Sequence, residues 1–253
     1  MSKDKKNELN TVDPAGVSTL PDYLQGSAGL GNENIQRGDV TIPRIGIIQS
    51  LSPERTKGHA KQIVGCEEGQ FFNTVTREIL PETFKFVDVM FTKTWGVFVH
   101  RDFGGGFKGQ FKTEKEAAIF AVTQENANQL EIVDTAVHVV VRVTDDLKPV
   151  ETAIVMFTKS KLKVSRDMNA ILKGSGAARF ATLWEMSAVG ETNKKGQPYF
   201  NFKATKQGWV PVDLFTYCKD VYEEVKDKDL SVSAAAANAA DGAASVDPDD
   251  IPY

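Results

Sequence analysis

Four cations fall within eight residues at Lys159, Lys161, Lys163 and Arg166, with no acid among them, in the segment FTKSKLKVSR (157–166). A second basic group flanks the NKKG stretch at Lys194 and Lys195 and continues through Tyr199 to Lys203 and Lys206. A third interleaves charge and rings around a glycine run: Trp95, Arg101, Phe103, Phe107, Lys108, Phe111 and Lys112. An unpaired nucleic-acid strand wants this mixture. Cations track phosphates and release counterions, and aromatic rings stack on bases of any sequence at about 1–3 kcal/mol per base. Solvation alone accounts for many single surface lysines, and most of the fifteen Phe must form the core. Trp184, in FATLWEMSAV, reads as buried rather than stacking. The clustering carries the reading. The residues expected to touch the strand are Trp95, Arg101, Phe103, Phe107, Lys108, Lys159, Lys161, Lys163, Arg166, Lys194, Lys195, Tyr199 and Lys203.

Catalytic patterns are weaker. His59, His100 and His138 are scattered without metal-type neighbours, and His138, in an apolar strand, reads as a hydrogen-bonded imidazole of core or surface. The Gly104–Gly106 run lacks the Gly-Lys-Ser/Thr ending that would hold phosphate and magnesium. No GxSxG or HExxH occurs, and Cys66 and Cys218 form no CxxC pair. A site assembled from distant residues leaves little trace in one sequence. The expectation is a protein that is not an enzyme, with no cofactor and no metal.

The elements that must position these residues are mostly strands. TIPRIGIIQS (41–50) is apolar and β-branched, with Pro43 placing it at an edge or strand start. Residues 83–100 make one long or two joined strands. FGGGFKGQF (103–111) is a loop. Thr113 and Glu116 have capping-box spacing, so 113–130 reads as a helix. Strands follow at 132–144 and 150–160 around the turn DDLKP, and a helix at 161–176 ends at Gly174. If the preceding strand runs on instead, Phe157, Lys159, Lys161 and Lys163 share one face; if the helix starts at Lys161, Lys161 and Lys163 separate. Two strands around NKKG occupy 178–210, with Tyr199, Asn201 and Lys203 on one face and Phe200 and Phe202 on the other. An amphipathic helix spans 212–228. The class predicted is mainly β with helices, a β-rich α+β fold, as an elaborated OB-type Greek-key barrel. Strict βαβ alternation is absent, which argues against a doubly wound parallel sheet.

Charge is uneven. Residues 1–40 hold 4 basic and 6 acidic side chains, 41–225 hold 24 and 22, and 226–253 hold 2 and 6. The expected organisation is a mostly irregular segment at 1–40, a nucleic-acid-binding domain at 41–228 and a flexible acidic tail at 229–253. No apolar run approaches the roughly 20 residues that span a membrane, and the start of the chain lacks the apolar stretch of a signal peptide. The location expected is cytoplasmic, with no membrane partner.

The last residues, DPDDIPY (247–253), follow a small-residue spacer without Lys or Arg. This ending closely resembles the C-terminal tip of bacterial single-stranded DNA-binding proteins, in which aspartates precede Ile-Pro-Phe. Here Asp247, Asp249 and Asp250 precede Ile251, Pro252 and Tyr253, with Tyr in place of Phe and Pro248 inside the acidic run. The whole chain looks more like the enlarged OB-fold single-stranded DNA-binding proteins of bacteriophages, particularly over KLKVSRDMNAILKG, the NKKG hairpin and GWV. That resemblance implies binding and protection of single-stranded DNA in replication, recombination or repair, within a bacterial host's cytoplasm. It also implies recruitment of replication or recombination proteins through Asp249, Asp250, Ile251, Pro252 and Tyr253. Two alternatives stay open: a virion or protein-interaction component without nucleic-acid binding, and a nucleic-acid-processing enzyme with a dispersed site.

Overall fold

The computed structural model describes residues 30–34, 42–193, 196–228 and 230. Contacts divide the chain into two compact units, Met1–Val40 and Thr41–Tyr253. Of the first unit only a turn is described, in which the Gly31 N–H donates to the Glu33 carboxylate at 2.9 Å.

The second unit is organised around one strand of 17 residues, β3 (Thr83–Val99). The strand β5 (Leu130–Val143) pairs antiparallel along nearly all of it, from Lys85↔Val143 to Val99↔Leu130. Outside β5 lies β6 (Pro149–Thr158). On its other edge β3 is shared: Thr83–Val87 pair with β7 (Thr182–Thr192), and Trp95–Phe98 pair with β4 (Phe107–Phe111). The strand β8 (Pro198–Trp209) pairs with β7, so the path runs β6-β5-β3-β7-β8.

Both faces are covered where β5 crosses the middle of the sheet, which is why it carries the near-continuous apolar run VHVVV. On one face Val137, Val139 and Val141 join Val87 and Val89 under α3 (Val212–Val225), through Leu214, Cys218 and Val221. On the other, Phe84, Phe86, Val140, Phe157 and Trp184 pack with α2 (Leu162–Ser175) and the two-stranded pair β1 (Ile45–Ile47) and β2 (Phe71–Asn73). Trp184 is fully buried.

Aromatic packing curls the sheet. Phe157 of β6 and Phe202 of β8, on the two outer strands of the path, bring their ring centroids to 5.4 Å. Phe71 stacks on Phe202 at 5.7 Å and meets Phe84 edge-on at 5.2 Å. The remaining gap is bridged by residues 43–49. The Ile154 N–H donates to the Pro43 carbonyl at 2.8 Å, and Arg44 forms a parallel bridge with Ile154. At the other end the Gln49 amide takes both backbone bonds of Phe200, at 2.8 and 2.9 Å. The β-rich α+β class therefore holds: antiparallel strands with three α-helices among the described residues.

Boundaries differ from expectation for local reasons. The helix α1 (Glu114–Val122) has the capping box expected of Thr113 and Glu116. It stops well short of residue 130, because Thr123 turns its hydroxyl onto the Phe120 carbonyl at 2.7 Å and a 3-10 turn at Ala127–Gln129 leads into β5. The strand before α2 does not continue to Lys163. It ends at Thr158, where Lys159 adopts a left-handed φ of 48°, and a 3-10 turn at Lys159–Lys161 feeds the helix. The single shared face for Phe157, Lys159, Lys161 and Lys163 is thereby corrected. The strand expected over 41–50 shrinks to Ile45–Ile47, and β2 had no legible pattern of its own.

The end of α2 also moves. The helix passes through Gly174, and Gly176 takes the left-handed cap at φ 68°. An added Cβ meets nothing within 4 Å at either glycine, so conformation alone sets the outcome. Gly174→Ala should stabilise the protein by about 0.5–1 kcal/mol and Gly176→Ala should destabilise it by about 1 kcal/mol. Urea denaturation midpoints of the two variants check the opposite signs.

Candidate nucleic-acid interface

The junction between β6 and α2 gathers the first basic group. Lys159 Nζ sits 3.4 Å from the Glu131 carboxylate. Lys161 Nζ lies 5.3 Å from the Phe202 ring centroid, over its face. Lys163 is exposed and bonds Asp167, one turn along, at 2.6 Å. That hydrogen bond, and then the Asp167 charge, raise the Lys163 ammonium above the usual lysine range. Arg166 is exposed. The first turn of α2 contains no acid. A helix N-terminus carries partial positive charge and favours anions, so lysines and an arginine here oppose the helix they belong to.

The second group adjoins the first. On β8, Phe200 and Phe202 turn toward the aromatic core while Tyr199, Asn201 and Lys203 occupy the opposite face, as alternation requires. The Tyr199 hydroxyl bonds the Glu191 carboxylate, which also accepts from Asn201 Nδ2 at 3.1 Å. Lys203 is exposed. Lys161 over Phe202 ties this strand to the α2 junction, and Glu191 contributes to the charge felt by Lys163. The hairpin is closed by Asn193 and Gln197, whose side chains bond at 2.7 Å. Lys194 and Lys195 lie outside the described residues.

The third group sits on the far half of β3. Gly104, Gly105 and Gly106 all have positive φ, and the Val99 N–H closes the loop on the Gly106 carbonyl at 2.8 Å. Phe103 is 55% exposed. Phe107 rests on Phe98 at 5.4 Å, Lys108 is exposed, and Trp95 is half-buried against the α1 cluster with Lys93 5.3 Å from its ring. Of Arg101 only the backbone, in a 3-10 turn, is described. Glu131, the partner of Lys159, is registered opposite Phe98. The three groups thus meet in sequence: Phe107, Phe98, Glu131, Lys159, Lys161, Phe202. Among the described site residues Lys108, Arg166 and Lys203 form no ion pair, whereas Lys159 and Lys163 face acids.

Sequence reading missed two features. One is Trp209, at the end of β8, which is 57% exposed. The other is a buried polar chain under α2. A bulge at Val89 (Asp88↔Val140, then Met90↔Val139) turns both Asp88 and Phe91 toward His138. Asp88 Oδ2 accepts from His138 Nδ1 at 2.9 Å and from Arg179 Nη1 at 2.6 Å. The Ser165 hydroxyl donates to His138 Nε2 at 2.7 Å, and Arg179 Nη2 continues to the side-chain oxygen Oδ1 of Asn169 at 2.7 Å. Acid, imidazole and hydroxyl follow the order of a nucleophile relay. Ser165, however, is 2% exposed on the packed side of α2, so no substrate carbonyl reaches its oxygen while α2 is seated. What the chain does is fix α2, and with it the lysine junction, onto β3 and β5.

Among the described residues no group of three or more His, Cys, Asp or Glu is placed to hold a metal ion. Both cysteines are free, and burial pushes the Cys218 thiol up to about 12. No helix among the described residues is long and apolar enough to cross a membrane.

The polar chain gives a graded expectation. Asp88→Ala leaves His138 and Arg179 without their shared acceptor and should cost about 3–5 kcal/mol, whereas Ser165→Ala removes one neutral hydrogen bond and should cost about 1 kcal/mol. Denaturant unfolding of both variants measures the difference.

No curated protein and no solved structure matches the chain. The family model described as Pam3 phage gp34-like protein matches residues 12–231, most of the chain. The protein belongs to the Pam3 phage gp34-like family.

Proposed function

We propose that this phage-family protein binds single-stranded DNA without catalysis and with little sequence preference, during replication, recombination or repair. The observation that carries the reading is the cluster of Lys159, Lys161, Lys163 and Arg166 at the N-terminal end of α2. Cations there destabilise the helix, and a run of phosphates would offset the cost by meeting the side-chain charges. Lys203 on one side and Lys108 with Phe103 and Phe107 on the other extend the charged and aromatic surface in both directions. Lys194, Lys195 and Arg101 would add to it.

Residues 231–253 lie outside the described residues. In this reading their acids compete with DNA for the cations, at the effective concentration of order mM that covalent attachment provides. Asp249, Asp250, Ile251, Pro252 and Tyr253 form a docking segment for replication or recombination proteins. Apolar Ile251 and Tyr253 enter a shallow pocket on the partner, and the aspartates steer the approach.

Fluorescence anisotropy of labelled dT oligonucleotides across a salt series tests the first claim. Affinity should fall steeply with salt, with a slope of about −0.7 per phosphate neutralised. Replacing Lys161, Arg166 and Lys203 together by Gln should make that slope shallower by about 2. Undetectable binding at low salt would remove the reading and favour a protein-interaction or virion role. Shortened oligonucleotides after adding magnesium would favour an enzyme.

Deleting residues 231–253 should tighten binding at low salt and abolish capture of replication or recombination proteins. Unchanged affinity together with retained partners would remove the tail's role alone.

A further inference from the structure

The three tryptophans have different fates: Trp184 is buried, Trp95 is half-buried, and Trp209 is the exposed one. Its position follows from a defect in the β7–β8 ladder. Leu183 is registered to Gly208 and Trp184 to Lys206, which leaves Gln207 as an extra, unpaired residue. In a regular strand, residues 206 and 209 would point to opposite faces because side chains alternate. The bulge reverses that parity. Lys206 and Trp209, opposite Trp184 and Thr182, come to the same side, and Lys206 Nζ stands 4.4 Å from the centre of the indole ring. Gly208, at φ 149° with nothing within 4 Å of an added Cβ, supplies the backbone freedom the bulge needs. Bulges recur where a strand must re-aim a side chain toward a site.

We infer that Trp209 is a base-stacking residue and Lys206 its phosphate partner, together forming a contact point for unpaired DNA on the outer strand β8. This rests on the DNA-binding reading above and places the contact on the β8 face that carries Phe202, beneath Lys161, opposite the face of Tyr199 and Lys203. The chemistry is complementary on both counts. A half-exposed indole offers a large flat surface that any base can cover, and the adjacent ammonium is within reach of the phosphate that follows the stacked base. Because the ring is exposed, replacing it removes little core packing.

Two measurements on the full chain decide the matter. Titration with dT oligonucleotide should quench the intrinsic fluorescence of the native protein, and Trp209→Phe should lose most of that quenching while binding within a few-fold by anisotropy. Trp209→Ala should weaken binding by about 5- to 150-fold, the range of one stacked base at 1.4 kcal/mol per tenfold. Lys206→Gln should make the salt slope shallower by about 0.7. Failure of the native protein to bind DNA would overturn the underlying reading. DNA binding with undiminished quenching in Trp209→Phe, or unchanged affinity in Trp209→Ala, would overturn this inference and leave the broader reading standing.

Discussion

A carboxylate sealed from water has to be met by donors, and Asp88 draws three elements together through one oxygen, Oδ2, while its Oδ1 is buried without a partner among the described residues. His138 comes from β5, Arg179 from the turn before β7, and Ser165 from α2 through the imidazole. Removing Asp88 would strand His138 Nδ1, and removing Ser165 would strand His138 Nε2, where water cannot replace either partner. That makes the chain selective as well as stabilising: only one placement of α2 brings Ser165 to His138 Nε2. The basic junction at the start of α2 inherits its position from this placement. The candidate interface is thus aligned by a buried network that lies outside it.

The aromatic core does comparable work on the sheet. Five strands in open order could lie nearly flat, yet Phe157 and Phe202 meet from the two ends of the path. Rings in edge and stacked contact reward that approach beyond the area they bury. Curvature brings β8 beside the β6–α2 junction, and so lets Lys161 cover Phe202. Core packing and the candidate interface are two sides of one bend.

Much of this was legible where a signal is local. The apolar run over 132–144 announced a strand, Thr113 and Glu116 announced the start of α1, and the alternation through Phe200 and Phe202 separated the two faces of β8. His138 read as a hydrogen-bonded imidazole because an apolar strand leaves it few other options. What stayed hidden depends on register or distance. The Val89 and Gln207 bulges have no sequence mark, yet one delivers Asp88 to His138 and the other delivers Lys206 to Trp209. Ser165 is 27 residues from His138, and Gln49 is 151 from Phe200, so neither pairing has a spacing to recognise. Lys159 ended its strand by a left-handed turn that lysine rarely takes, and alternation counted straight through it.

The Gln49 clasp gives the curl a seam. A ladder of fourteen registered pairs joins β3 to β5, whereas at the Phe200 end two hydrogen bonds from one side-chain amide join the ring contacts of Phe202 with Phe71 and Phe157 in closing the rolled edge. Each such bond is worth only about 0.5–1.5 kcal/mol net. Thermal breathing will therefore begin at that amide and widen from there, well before the long ladder is disturbed.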